Sequence, residues 1–527
     1  MNRIRTRRAR RVLAALALVA TGLIATGAGT SVASESRAGG TLTIGLAEDP
    51  DALDPTMART FVGRMVFLHM CEKLYDLNAK LQVVPQLAAA MPVLSRNKQT
   101  MTIRIRRGIR FNDGTPLNAQ AVKVSLDRHR TLAGSARASE ISPITAVNVV
   151  NNYTVRLQLN ARFSPLTAQL ADRAGMIMSP RALEQLGTRF ASGPVCVGPF
   201  RFSSRTAGDR IVLEKSQFYY ARSRVKLNRI VFRIITDTSA RAANLRSGDI
   251  NVLDRIASTD LPAIQRDRRL RVLKATSIGY QGISINIGNK NGLGKPFENV
   301  GTPLASRRAL RQAFELSLDR KVINRVVFGG TTLPGCLPVP PQSPYYDPKI
   351  TCPGRNLSRA RSLVRSTGMS TPIRVQLMIG TDQVAARLGQ VIQSMAREAG
   401  FQVDLQPTEF VTALRRQDQG NYQAFAIGWS GRVDPDGNIY QFVHSKGSLN
   451  NLGWGVGRMD LLLDNARKAT GLKARKTLYS AAFRLLRTEL PLIYLWHPVN
   501  RHGVTATVKG VRQYGDGLIR AYFAEYR

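Results

Sequence analysis

The chain has 527 residues, which is too long for one compact core and predicts two or three domains. Hydrophobic residues make up 43% and charged residues 21%, as in an ordinary soluble globular protein. The net charge is +41, but the basic residues are scattered and no nucleic-acid-binding motif is present, so we expect no nucleic-acid partner.

The N-terminus has the pattern of an export signal. An arginine-rich start precedes an apolar stretch over residues 12–25, and residues 31–33 (Ser-Val-Ala) resemble a cleavage site. The apolar run is shorter than the ~20 residues that span a bilayer, so residues 1–33 are predicted to be a cleaved signal peptide rather than a membrane anchor. No cysteine lies in the first 70 residues. We therefore expect a periplasmic protein without a lipid anchor.

The four cysteines predict two disulfides, because an exported chain with an even number of cysteines is typically cross-linked. Cys336 and Cys352 bracket a 15-residue loop, whose closure would stabilise the fold by ~3 kcal/mol. Cys71 and Cys196 would then form the second pair. Metal binding is the alternative, but the chain has no C-x-x-C motif and no clustered histidines.

In chain order, the elements predicted in the first half are mostly strands. Alternating or buried apolar segments predict strands at residues 40–49, 101–106, 153–159, 230–235, 248–253 and 279–287. Three helices are predicted between them: one over residues 61–74, one that begins near Ala119 with Asn118 as its cap, and a short one over residues 239–247.

The second half predicts an α/β arrangement. A long amphipathic helix is expected over residues 303–328, and it is followed by a strand–helix–strand unit over residues 373–405. The remaining predicted elements are strands at residues 422–429 and 492–496 and helices at residues 461–466 and 473–490.

Motifs of catalysis are missing from the sequence. It contains no G-x-S-x-G, no H-E-x-x-H and no Walker loop, and its five histidines show no ligand spacing. We therefore expect a protein that is not an enzyme and that binds neither a metal nor a cofactor.

Four blocks of sequence point to a known family. They are residues 71–78 with 84–88, residues 108–122, residues 197–200 and residues 307–320. With these blocks the chain resembles the extracellular solute-binding protein family 5, the dipeptide-, oligopeptide- and nickel-binding components of ABC importers. The resemblance runs from about Gly40 to the C-terminus.

This resemblance implies an α/β fold of the type II periplasmic-binding-protein class, with two lobes and an interlobe cleft. Lobe one is expected over residues 40–278 together with 490–527, and lobe two over residues 279–489, with crossings near Tyr280 and Pro491. The implied protein is a monomer that captures a peptide or other small molecule by hinge closure and delivers it to an ABC permease.

The ligand-binding block implied by the resemblance is residues 427–438. It follows a predicted buried strand, and α/β sheets place ligands at the carboxyl ends of strands. Trp429 would stack on the ligand, and backbone groups of Gly428 and Ser430 would hydrogen-bond it. Alternatively, Trp429 is a core aromatic.

The chain departs from the peptide binders three residues after Trp429. Those proteins have an aspartate there that pairs with the peptide's ammonium group, whereas this chain has Arg432, and Asp434 follows two residues later. Arg432 either contacts an acidic ligand group or pairs with Asp434 or Asp436. The sequence therefore allows two classes of ligand: a peptide, or an acidic solute such as an opine-like conjugate.

Further cleft candidates are aromatic and amide residues near the predicted lobe boundaries, each of which either contacts the ligand or packs internally. They are Phe61, Tyr280, Asn450, Asn451 and Trp454. Two rival functions stay open: a secreted hydrolase, which needs a base near Ser430, and a chemoreceptor or chaperone with the same fold.

Overall fold

The computed structural model describes residues 39–527, so the predicted signal peptide lies outside the described residues. The first of two large β-sheets has seven strands, in the order Leu270–Thr276, Val499–Thr505, Val252–Leu253, Thr41–Leu46, Arg229–Ile234, Arg210–Lys215 and Phe200–Thr206. Thr41–Leu46 is central and pairs in parallel with both of its neighbours. Three parallel strands therefore end at one edge of this sheet.

The second sheet has six strands, in the order Leu333–Pro334, Leu492–His497, Tyr280–Ile285, Ala424–Trp429, Ile373–Ile379 and Phe401–Pro407. Ile373–Ile379 pairs in parallel with both neighbours. The helix Gln383–Arg397 connects it to Phe401–Pro407, which confirms the predicted strand–helix–strand unit.

The chain passes from the first sheet to the second between Thr276 and Tyr280, and it returns at Pro498. The return crossing predicted near Pro491 is wrong, because the strand Leu492–His497 pairs with Tyr280–Ile285 in the second sheet. Every residue of that last strand is buried, so hydrophobic burial holds it in the core of the second sheet.

A four-stranded antiparallel sheet forms a third layer, in the order Val93–Leu94, Thr100–Arg104, Thr154–Leu159 and Ile144–Asn151. The helix Ala119–Thr131 packs against it, with Val122 and Leu126 in the same apolar core. Its cap is the predicted one, since the Asn118 carboxamide oxygen accepts a hydrogen bond from Ala121 N at 3.0 Å. Three two-stranded ladders complete the strands: Tyr75–Leu77 with Val83–Pro85, Val508–Lys509 with Glu525–Tyr526, and Arg512–Gln513 with Ile519–Arg520.

The α-helices are Phe61–Met70, Ala119–Thr131, Leu166–Gln169, Pro180–Leu186, Thr238–Ser247, Leu261–Arg266, Pro303–Ser306, Arg308–Ser317, Arg320–Phe328, Leu357–Arg365, Gln383–Arg397, Phe410–Asp418, Asp436–Val443, Gly457–Lys468 and Leu472–Glu489. Short 3-10 turns occur at Arg173–Gly175, Gly187–Ser192 and Arg222–Arg224. Within the described range, no helix has both the length and the hydrophobicity needed to cross a bilayer.

The long helix predicted over residues 303–328 is divided into three shorter ones. The second break occurs at Leu318 and Asp319, where the backbone is extended. The Asp319 carboxylate accepts hydrogen bonds from the backbone N–H groups of Lys321 and Val322 at 2.8 and 3.0 Å, so it starts a new helix. Hydrophobic spacing alone did not reveal this cap.

Both predicted disulfides are present. Cys71 and Cys196 have Cα atoms 4.9 Å apart, and Cys336 and Cys352 have Cα atoms 5.5 Å apart. The helix predicted over residues 61–74 ends at Met70 because Cys71 is already extended. The first disulfide thus joins the end of this helix to the loop that precedes strand Phe200–Thr206.

Candidate functional site

A cavity of about 480 Å³ is walled by residues that follow the strands of both large sheets. On the side of the first sheet, Glu48, Thr236 and Arg255 follow its three parallel strands. On the side of the second sheet, Asp382 and Thr408 follow two of its parallel strands. This is the edge at which α/β folds bind ligands, and the volume suits a small solute.

Trp429 and Tyr280 form one wall of the cavity and are direct cross-strand neighbours. The Trp429 indole is 7% exposed, and its Nε1 donates a hydrogen bond to the Gly437 carbonyl at 2.8 Å. The Tyr280 hydroxyl donates to the Asn438 carbonyl at 3.3 Å. Both rings are therefore fixed by the loop that follows Trp429, and they present apolar surface to the cavity.

Close backbone packing explains the glycines on either side of this wall. A Cβ atom on Gly428 would lie 2.2 Å from the Tyr280 carbonyl oxygen. Gly431 has φ +83°, and its Cβ would lie 2.4 Å from the backbone nitrogen of Gly279. Only glycine permits both the left-handed backbone and this close approach to the crossing segment.

Phe61 also lines the cavity, as the first residue of helix Phe61–Met70. The Thr60 hydroxyl caps this helix by accepting from Gly63 N, and it donates to the Asp51 carboxylate at 2.8 Å. Asp51 also accepts from Arg59 N at 2.7 Å. These hydrogen bonds to Asp51 and Thr60 therefore fix the position of the Phe61 ring.

Four arginines and two acids give the cavity wall a formal charge of +2. They are Arg59, Arg241, Arg255, Arg501, Glu48 and Asp382. Arg255 lies 3.2 Å from Glu48 and 3.0 Å from Asp254. Burial raises the pKa of the Glu48 carboxyl, and Arg255 opposes this rise.

Arg501 and Arg241 are the two cavity arginines that form no ion pair with an acid among the described residues. Arg501 Nη1 donates to the carbonyls of Thr331 and Val499 at 2.9 and 3.1 Å. Among residues 39–527, no carboxylate oxygen lies within 4.0 Å of its guanidinium group. Its charge therefore remains available to a carboxylate in the cavity.

Arg432 lies outside the cavity lining. Its Nε is 3.1 Å from Asp172 Oδ2, and its guanidinium carbon lies 4.4 Å from the centre of the Trp429 ring. The alternative partners offered by the sequence, Asp434 and Asp436, pair instead with Arg475 and Arg467 at 2.6 Å. The prediction that Arg432 pairs with Asp434 or Asp436 is thus wrong, because the fold places Asp172, from a distant segment of the chain, next to its guanidinium group. A direct ligand contact by Arg432 or Asp434 stays a prediction.

Asn450 and Trp454 also lie outside the lining. The Asn450 amide donates to the carbonyls of His444 and Trp454 at 3.0 and 2.7 Å, so it fixes the loop that contains both residues. Their neighbour Asn451 does line the cavity. Its side-chain oxygen is buried and accepts no hydrogen bond from the described residues.

Sequence reasoning missed all six charged residues of the wall. None belongs to a recognisable motif, but Glu48, Arg255 and Asp382 each come within three residues of the end of a parallel strand. Their position directly after a parallel strand is the sequence feature that could have identified them as candidate ligand-binding residues. Arg59 and Arg501 lie elsewhere and have no such signal.

The described residues hold no group of three His, Cys, Asp or Glu side chains arranged to bind a metal ion. Ser430, the nucleophile that a hydrolase would need, accepts a hydrogen bond from Arg64 Nη1 at 3.0 Å. This contact supplies a cation where nucleophilic catalysis requires a base.

A family model described as bacterial extracellular solute-binding proteins, family 5 Middle, matches residues 82–450. The glutathione-binding proteins GsiB of Pectobacterium atrosepticum and Escherichia coli K12 are each 26% identical to this chain over 88% of its length and 90% of theirs.

Solved structures share the fold. The oligopeptide-binding protein AppA of Bacillus subtilis, in complex with a nonapeptide, has a TM-score of 0.85 and 21% identity, covering 93% of this chain and 99% of its own. The protein AgaA of A. tumefaciens R10, in complex with agropinic acid, has a TM-score of 0.82 and 22% identity over the same shares. The fold is thus the two-lobed type II periplasmic-binding fold, and the chain belongs to the bacterial extracellular solute-binding proteins, family 5.

Proposed function

We propose that this protein is the periplasmic substrate-binding component of an ABC importer and that it captures an anionic peptide or related acidic solute. The observation that supports this most is the cavity of about 480 Å³, with its charge of +2 and the uncommitted cation of Arg501. Carboxylates are the groups that such a wall attracts.

Glutathione is the first candidate within this class. The curated relatives are glutathione-binding proteins, and glutathione has two carboxylates and one ammonium group. In our proposal Arg501 binds a carboxylate, Glu48 or Asp382 binds the ammonium, and Trp429 with Phe61 covers the backbone. Asp418 and Asp254 pair with Arg59 and Arg255 from behind the wall, which leaves Arg501 and Arg241 without ion pairs and favours a solute with negative charge.

We propose lobe boundaries at the two crossings. Lobe one would comprise residues 39–278 and 498–527, and lobe two residues 279–497. Contacts between these segments support a closed arrangement, such as the ion pair between Arg59 and Asp418 at 2.8 Å. Closure would bury the solute and form the surface that the membrane permease recognises.

Several further features belong to the same proposal. The protein would act as a monomer and bind its solute without transforming it. Residues 1–33 would direct its export as a signal peptide and then be cleaved. The contacts of Ser430 support the absence of hydrolysis, since its hydroxyl faces Arg64. Recognition of an ABC permease would follow solute capture.

Thermal denaturation with a panel of solutes tests this function. The panel contains glutathione, a neutral tripeptide, an acidic tripeptide, an opine acid and a nickel–histidine chelate. A solute present at 100 times its dissociation constant should add ~2.7 kcal/mol of stability. We expect acidic members to stabilise the protein, whereas stabilisation only by neutral or cationic members would refute an anionic substrate.

A further inference from the structure

A cluster of six charged side chains lies behind the cavity wall. This arginine cluster consists of Arg64, Arg137, Arg173, Arg432, Asp172 and Glu140. Asp172 is shared by three of the arginines: its Oδ2 lies 2.6 Å from Arg64 Nη2 and 3.1 Å from Arg432 Nε, and its Oδ1 lies 3.5 Å from Arg173 Nε. Glu140 Oε1 lies 2.5 Å from Arg137 Nη1.

The arginine cluster has two positive charges in excess, with four cations against two anions. Its side chains are 0–7% exposed, so water at the surface does not screen this excess. The adjacent pair of Asp516 and Arg520 is balanced, with 2.6 Å between its charged atoms. Uncompensated buried charge is strongly unfavourable, which calls for a counter-ion.

Several N–H donors of the arginine cluster have no acceptor among the described residues. They are Nε of Arg137, Nε and Nη2 of Arg173, and Nε and Nη2 of Arg432. The Arg432 Nε is close to Asp172, but the contact is not aligned as a hydrogen bond. Glu140 Oε2 is also buried without a partner, so five donors stand against one free acceptor in the arginine cluster. Because buried donors are normally satisfied, the excess donors form a site for an acceptor of negative charge.

The arginine cluster joins the two halves of the fold next to the cavity. Arg432 follows strand Ala424–Trp429 of the second sheet. The other members of the arginine cluster precede the first crossing at Thr276. Ser430 lines the cavity, and its hydroxyl accepts a hydrogen bond from Arg64 at 3.0 Å. The cluster and the cavity therefore share Ser430 as their common wall.

We propose that the arginine cluster binds one small anion between Arg137, Arg173 and Arg432. Two sources have the required chemistry. One is a free halide ion, and the other is a carboxylate of the captured solute that reaches past Ser430, a source that rests on the proposed function. In either case the anion links the two lobes, because Arg432 belongs to one and the remaining arginines to the other.

Anion-dependent stability distinguishes these sources. The solute-free protein is melted in sodium bromide and in sodium gluconate at equal ionic strength, together with the variants Arg432→Gln and Arg311→Gln. Arg311 is a buried arginine outside the arginine cluster and serves as the matched control. A bound halide predicts that bromide raises Tm by about 2 °C or more in wild type and Arg311→Gln, but not in Arg432→Gln.

A solute carboxylate predicts a different result: no bromide effect, and glutathione affinity about tenfold weaker in Arg432→Gln than in Arg311→Gln. If Arg432→Gln fails to fold, anomalous diffraction from a wild-type crystal grown in bromide replaces this comparison. A bound halide would give an anomalous peak beside Arg173 Nη2. The proposal is overturned if bromide has no effect, no peak appears, and glutathione behaves alike with both variants. The proposed solute-binding function would still stand after that result if any solute of the panel binds the protein.

Discussion

Arg432 Nε lies 3.1 Å from Asp172 Oδ2, so the arginine three residues after Trp429 is held by an acid that lies 260 positions earlier in the chain. Burial alone would raise the pKa of Asp172, but Arg432, Arg64 and Arg173 hold it well below its usual range. An acid from a distant segment of the chain, rather than Asp434 or Asp436, therefore pairs with Arg432.

Removing the Asp172 charge should be strongly destabilising. Asp172→Asn leaves three buried arginines without their common partner, and breaking a buried pair costs about 3–5 kcal/mol. Urea denaturation measures the loss. The matched control is Asp209→Asn, whose carboxylate is 48% exposed and should matter by less than about 1 kcal/mol. Equal effects from the two variants would contradict the assigned role of Asp172.

The ion pair between Arg59 and Asp418 should favour the closed form. Asp418→Asn removes this ion pair; Asp418 itself is not a lining residue, but its carboxylate holds the lining residues Arg59 and Asn451. Partly exposed pairs are worth about 0.2–1 kcal/mol, so we expect solute affinity to fall by up to about fivefold. Calorimetric titration gives the affinity, and small-angle scattering should show a more open protein. A variant that binds as tightly and closes as fully as wild type would rule out this contribution.

Glu72 should make stability depend on pH. Burial raises the pKa of its carboxyl from 4.5 to about 7, against the opposing hydrogen bonds from Tyr219 and Tyr220. Between these values the folded protein retains a proton that the unfolded chain has lost. Glu72 therefore contributes stability near pH 4.5 that is lost as pH rises to 7, with a slope of at most about 1.4 kcal/mol per unit.

The variant Glu72→Gln isolates this effect. The stability of wild type minus that of the variant should decrease from pH 4.5 to 7 and then level off, as measured by urea denaturation at several pH values. Exposed Glu184→Gln is the control and should give a flat difference. A flat difference for Glu72→Gln as well would show that its carboxyl titrates alike in both states.

The two disulfides should contribute unequally. Replacing Cys336 and Cys352 by serine should lower the free energy of unfolding by about 3 kcal/mol, because their loop is short. Replacing Cys71 and Cys196, which are 125 residues apart, should lower it by more, about 4.7 kcal/mol or above for a loop of this length. Urea denaturation compares the variants. Free thiols in the oxidised native protein, detected by mass spectrometry, would be inconsistent with both pairs.

Local sequence signals predicted the local features well. The Asn118 cap, the strand–helix–strand unit and the short-range disulfide all depend on neighbouring residues and are confirmed. Features set by distant contacts were not accessible in the same way. The return crossing at Pro498 depends on which sheet accepts the strand Leu492–His497, which its apolar sequence does not specify.

The same distinction holds within the candidate site. Trp429, Tyr280 and Phe61 line the cavity. The family resemblance implied the role of Trp429, whereas Tyr280 and Phe61 were proposed as aromatic residues beside a predicted crossing or strand. The partner of Arg432 was missed, since Asp172 lies 260 positions earlier in the chain. Arg501 was missed because it lies in a strand without any motif.

The central claim is that the cavity captures an acidic solute through Arg501. The most direct test is calorimetric titration of glutathione and its diethyl ester, which lacks both carboxylates, into wild type and Arg501→Gln. We predict that wild type prefers glutathione and that the variant binds it about 10–100-fold more weakly, since a charge-assisted hydrogen bond contributes about 1.5–3 kcal/mol. Binding of glutathione that is unchanged by Arg501→Gln, or a wild-type preference for the ester, would contradict the claim.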